Sequence, residues 1–133
     1  MDQAEVKEIS HTEGESDRYH IPGKTTIAPE VLLTIVRLTT LSVQGVSRMY
    51  DVRGGVNKLF RRGVGDGVRI EIGENDKVYA DLYVVVIEGV NIRETAHEIQ
   101  IQVTRAISEL VGLPVGRVDV HVEDIDFLEE LEA

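Results

Sequence analysis

Apolar and polar residues alternate from Val78 to Val84, and then the alternation stops. Val78, Ala80, Leu82 and Val84 fall on one side of an extended strand, with Tyr79, Asp81 and Tyr83 on the other, because successive side chains of a strand point to opposite faces. From Tyr83 onward Val85 and Ile87 make the second side apolar as well. A strand that is hydrophobic on both faces is covered twice or meets a partner on its second face. Val78 to Ile87 is therefore predicted as the middle of a sheet.

The same pattern places the neighbours. Lys24 to Ala28 (KTTIA) has the β-branched composition of a short strand, and Pro29 follows it, a residue suited to the first helical position. Val31, Leu32, Ile35, Val36, Leu38 and Leu41 recur at three and four, which predicts a helix with one apolar side ending near Gly45. Val46 to Val52 reads as a second short strand. Arg53 to Gly67 is glycine-rich and reads as a long loop with at most one helical turn at Val56 to Arg61. Val68, Ile70 and Ile72 alternate with Arg69 and Glu71, and Gly73 to Lys77 is loop material, so this strand and the central one form an antiparallel hairpin.

After Gly89, Asn91 followed by Glu94 is a helix start of the capping-box kind. Ile92, Ala96, Ile99, Val103, Ala106, Ile107 and Leu110 form its apolar stripe, and Gly112 with Pro114 ends it. Arg117 to Glu123 (RVDVHVE) is a strict alternation with Val118, Val120 and Val122 inward. Two singly striped helices and strands apolar mostly on one face predict an α+β two-layer sandwich. Its sheet is mostly antiparallel and both helices pack on one face.

Domain bounds follow from composition. Residues 1–21 are acidic and without sustained periodicity, so they are expected to stay a disordered tail. Residues 22–127 form the single domain, and residues 128–133 an acidic C-terminal tail. With 133 residues the chain has room for one core. It has no cysteine, which removes disulfides, thiolate zinc sites and cysteine nucleophiles, and fits a reducing compartment. The start lacks the basic and apolar regions of a secretion signal, and no apolar run approaches the ~20 residues of a membrane span.

Candidate chemistry is sparse. His97-Glu98 has no second histidine four residues on, so the metalloprotease motif is absent. Asp119, His121 and Glu123 share the wet face of one strand and could hold a metal loosely, but a solvated strand face looks the same. The glycines of Arg53 to Gly67 open onto a strand rather than a helix, against a phosphate-binding loop. The residues thus point to no catalytic group, cofactor or metal.

Two features instead point to partners. Arg53, Lys58, Arg61 and Arg62 cluster with Phe60 and could meet an anionic partner, although a solvated loop offsetting an acidic domain has the same composition. The net charge of -10 opposes nucleic acid as that partner. The second apolar face, Tyr83, Val85 and Ile87, suggests self-association or docking of another protein, with coverage by the glycine-rich loop as the competing account.

Taken together these residues resemble the alkaline-shock, or envelope stress response, protein family of bacteria. The resemblance spans roughly Gly23 to Phe127. It is carried by Gly23-Lys24, Ile27-Ala28-Pro29-Glu30-Val31, Gln44-Gly45-Val46, Gly67-Val68, Asp81-Leu82-Tyr83-Val84-Val85-Val86 with Gly89, Gly112-Leu113-Pro114-Val115, and Val118-Asp119-Val120-His121-Val122. Thr39-Thr40-Leu41 stands where the family tends to small residues, and Glu88 where an aromatic often precedes the glycine. The resemblance implies a cytoplasmic, non-enzymatic adaptor or scaffold of cell-envelope homeostasis. In some members a membrane-anchored partner provides the tether. Relatives associated with fatty-acid synthesis imply an alternative, a regulatory module acting on a biosynthetic enzyme or nucleic acid through the basic loop 53–62. The family supplies no catalytic residues to carry over.

Overall fold

The structure is a computed structural model that describes residues 21–51 and 64–129. Helix α1 (Pro29–Leu41) starts with proline in its first turn and Glu30 near the positive end of its dipole. Its buried line is Leu32, Val36 and Thr40, one residue every four. The Thr40 hydroxyl donates to the Val36 carbonyl at 2.8 Å, so this polar side chain is satisfied inside the core. The buried line is narrower than the predicted stripe, because Val31 and Leu38 are 45% and 54% exposed. The helix also ends earlier than Gly45, at Leu41, where the Ser42 N–H bonds back to the Leu38 carbonyl at 3.1 Å. Lys24 to Ala28 forms no strand. Every residue there is exposed and joins no ladder, and Pro22 and Pro29 bracket it too closely for pairing.

Strand β1 (Val46–Met49) is shorter than predicted. Strands β2 (Val64–Gly65) and β3 (Val68–Ile72) pair antiparallel, with Gly65 opposite Val68. Asp66-Gly67 is thus a two-residue hairpin turn, in a stretch that composition alone assigned to loop. Between β3 and β4 (Val78–Ile87), the turn at Glu74–Asp76 places Asn75 and Asp76 at φ 63° and 60°. Asn and Asp tolerate that region better than other side chains do.

Helix α2 (Ile92–Ala106) begins where Asn91 accepts from the Glu94 N–H at 3.0 Å. Asn91→Ala should lower stability by about 1 kcal/mol, read as a reduced denaturation midpoint at unchanged slope. An unchanged midpoint would move the helix start. Thr95, Ile99, Val103 and Ile107 form the buried line, while Ile92 and Leu110 are 40% and 72% exposed. The last turn, Ile107–Val111, is a π-turn closed by the Gly112 N–H on the Ile107 carbonyl at 3.0 Å.

Strand β5 (Val115–Asp126) is longer than the predicted Arg117 to Glu123 and takes in Asp124 to Asp126 as well. It pairs with β4 in parallel along nearly its whole length. Parallel neighbours need a long crossover, and α2 supplies it. The other edge of β4 is shared end to end. β3 pairs with its first half and β1 with its second, both antiparallel. Three of the four pairings are therefore antiparallel and the longest is parallel. Val78, Ala80, Leu82, Val84 and Val86 form one buried cluster with the inner lines of both helices and with Val118. The α+β two-layer architecture with both helices on one face is as the pattern predicts.

Candidate interaction surface on the open sheet face

The helices cover one face of the sheet, and strand register lays out the other. Arg69, Asp81 and Asp119 form one row across β3, β4 and β5, and Glu71, Tyr79 and Arg117 the next. Tyr83 and His121 form a third. Partners in one row lie close enough to touch. Tyr83 and His121 stack with ring centroids 4.5 Å apart and planes 13° apart. His121 Nε2 lies 3.1 Å from Asp81 Oδ1, one diagonal step along the strand. Arg117 lies over the Tyr79 ring at 5.2 Å and donates from Nε to Asp119 Oδ2 at 2.8 Å. At this exposure the ion pair adds little stability, and it holds the side chains in one arrangement.

Beyond Tyr83 the face changes. Val85 has no exposed surface. Its register neighbours are Arg48 on β1 and Asp124 on β5. An irregularity between Val46 and Arg48 leaves Ser47 as an extra residue in β1. Both Ser47 and Arg48 then reach across β4 to Asp126. The Ser47 hydroxyl donates to Oδ2 at 2.6 Å, and Arg48 donates in a fork from Nε at 2.9 Å and from the guanidinium Nη2 at 3.1 Å. The paired guanidinium and then the serine hydroxyl hold the Asp126 carboxyl below its ordinary value, against the opposing effect of burial. Arg48 is raised in return, chiefly by the same hydrogen bond.

Because the folded carboxyl titrates lower than the unfolded one, it contributes stability at pH above its ordinary value of 3.8, and that contribution is lost as pH falls further. Asp126→Asn should lower the urea midpoint near neutral pH and make its decline between about pH 5 and 3 shallower than in the parent. Equal acid limbs for both proteins would show that the fork contributes nothing.

Of the residues predicted as partner contacts, Arg53, Lys58, Phe60, Arg61 and Arg62 lie outside the described residues. Tyr83 and Ile87 are half-buried on the open face, and Val85 beneath them presents no surface to a partner. Asp119, His121 and Glu123 do not converge, since His121 turns to Asp81 and Asp119 to Arg117. Among the described residues no group of three His, Cys, Asp or Glu could hold a metal ion. The fork on Asp126 and the pairing of His121 with Tyr83 and Asp81 escaped sequence reading. Their parts lie 78 and 40 residues apart in the chain, and only the parallel β4–β5 ladder brings them together. On the helix side a shallow, open depression is lined by Gln100, Ile101, Thr104 and Arg105. It offers no convergent charged groups.

The model of the alkaline shock protein 23 family, described by a cell envelope-related function, matches residues 18–127. The chain belongs to this family. Its similarity to curated bacterial members runs along most of the domain. It is 30% identical over 103 residues to the uncharacterized protein Spy1535 of Streptococcus pyogenes, covering 77% of this chain and 79% of that one. It is 29% identical over 107 residues to the uncharacterized protein YqhY of Bacillus subtilis, covering 79% and 78%. Among solved structures, a MamM CTD is similar over 71% of this chain and 95% of that one, with 18% identity and a TM-score of 0.45. That likeness is too distant to carry function. In this family member no helix of the described residues is long and apolar enough to cross a membrane.

Proposed function

We propose that this family member is a non-enzymatic cytoplasmic adaptor or scaffold of bacterial cell-envelope homeostasis. It works by protein–protein contact, at the membrane through an anchoring partner. The observation that carries this reading is that, among the described residues, the sheet is covered on one side. Both helices lie on one face, while the other presents Tyr79, Tyr83, Arg117 and His121, amphipathic and cationic side chains of the kind that dominate protein contacts. These groups are engaged with one another in rows across the strands and do not converge on a cleft where a substrate would be enclosed.

The test is photo-crosslinking in living cells. A photoreactive phenylalanine analogue replaces Tyr79 on the open face or, as control, Glu98 on the exposed side of α2. The expected result is a discrete adduct from position 79, absent from position 98, that contains an envelope or membrane protein. Adducts of equal yield from both positions, or none from position 79, would overturn the assignment of this face.

A further inference from the structure

The outer edge of β5 is the longest unpaired backbone edge among the described residues, and the residues along it read as their own complement. Tyr83 donates its N–H to Gly67 on the β3 side, so odd-numbered residues of β4 in this stretch bond toward β3 and even-numbered ones toward β5. Val78 does so, donating to the Pro114 carbonyl at 2.9 Å. With Ala80 opposite Val118 and Leu82 opposite Val120, the parallel ladder takes up Arg117, Asp119 and His121. The N–H and C=O groups of Val118, Val120 and Val122 consequently point away from the sheet. One of them is capped, since Gln100 on α2 donates its side-chain amide to the Val118 carbonyl at 2.9 Å, a single flexible side chain that has to turn aside before a neighbouring strand can pair there. Irregularities at Gly116 and Glu123 bracket the regular stretch.

We propose that β5 pairs with β5 of a second copy, antiparallel about a two-fold axis at Val120. The sequence RVDVHVE favours this register by its valine matching. Rotation about Val120 sets Asp119 opposite His121 of the second copy and Val118 opposite its Val122, and brings Arg117 to Glu123 at the irregularity that ends the regular stretch. Every valine then meets a valine, and every charged position meets its opposite or a group able to donate to it. The backbone agrees independently. A two-fold axis at Val120 requires the groups of Val118, Val120 and Val122 to face outward, and these are the ones that do.

Centring on Val118 or Val122 instead also opposes Arg117 to Asp119 or His121 to Glu123, but it sets Val120 against Gly116 or Asp124, whereas Val120 alone as centre matches all three valines with valines. A one-residue shift would set valines against charged side chains. The side chains concerned reach solvent, Arg117 being 56% exposed and Asp119 42%, and the pairing exchanges the Arg117–Asp119 bond and the His121–Asp81 contact within one copy for contacts across the axis. The net charge of -10 opposes association, but charges beyond about 10 Å are screened at ordinary ionic strength while directly opposed side chains are not. This pairing does not depend on the adaptor role of the open face.

Sedimentation equilibrium of the full chain tests it, with Glu123→Arg and the double variant Arg117→Glu/Glu123→Arg. Circular dichroism and the thermal midpoint verify that each is folded. The parent should sediment as a dimer, twice 14.8 kDa. Glu123→Arg sets arginine against arginine at two symmetric places and should raise the dimer dissociation constant about tenfold or more. The double variant restores opposite charges and should return it to near the parent value, a rescue that no purely structural role of either residue would produce. A parent that stays monomeric at millimolar concentration would overturn the proposal. So would a dimer indifferent to Glu123→Arg, or one that the double variant fails to restore.

Discussion

Leu82→Ala is expected to destabilise the domain by about 3 kcal/mol, within the ~2–5 kcal/mol of fully buried leucines. Leu82 has no exposed surface and sits mid-strand on the helix side of β4, with Val68 and Val120 as its register neighbours on β3 and β5. Strands hold it on both edges and helices close over it, so the surroundings cannot collapse into the space left behind. The loss should therefore include most of the cavity cost as well as the transfer cost. Leu110→Ala is the control, because that leucine is 72% exposed and its removal should stay within about 0.5 kcal/mol. Urea unfolding measures both. A loss below about 1 kcal/mol at Leu82 would mean that β4 is not the centre of the core.

Gly67→Ala should cost about 2–3 kcal/mol for a different reason. Gly67 has φ +76°, and a Cβ there would sit 2.9 Å from the backbone oxygens of both Tyr50 and Tyr83. Backbone atoms cannot swing aside as a side-chain tip would. The residue lies where three segments meet: its carbonyl accepts from Tyr83 N–H at 2.8 Å, and the Tyr83 carbonyl accepts from Tyr50 N–H at 2.8 Å. An alanine must therefore either strain the left-handed conformation, at about 1–2 kcal/mol, or push β1 and β3 away from β4. Gly112→Ala separates the two effects. That glycine has φ +80° with nothing near its would-be Cβ, so only the conformational cost of about 1 kcal/mol should appear. Equal losses at the two positions would show that the close approach at Gly67 is relieved without cost. Because Tyr83 stacks on His121, the stack should also loosen in Gly67→Ala, seen as shifted Tyr83 and His121 ring resonances.

Much of the fold was legible because its signals are local. The bounds of β3 and β4, the loop between them, the Asn91 cap and the stop at Gly112 each depend on residues within a few positions of one another. Where a short segment's fate depends on what brings it alongside an edge, local composition misled. Lys24 to Ala28 has strand-forming residues but, bracketed by Pro22 and Pro29, joins no ladder, whereas Val64–Gly65 has little strand character and pairs because Asp66-Gly67 folds it back on β3. The apolar stripes of both helices were read too wide. Periodicity identifies which side is apolar, but the depth to which a helix sinks into the sheet decides whether Val31, Leu38 or Leu110 is covered.

By itself the amino-acid sequence determined the class of fold, the alternating strands with their inner valines, the ends of α2 and membership of an envelope-related family. These rest on spacing along the chain, which no packing arrangement can alter. Only the tertiary structure decided that β5 runs parallel to β4. From that one choice follow the stack of Tyr83 on His121, the fork of Arg48 and Ser47 on Asp126, and the outward edge of Val118, Val120 and Val122. Which strands become neighbours is a property of the whole core, since each pairing is favoured only when the helices can close over the sheet it produces.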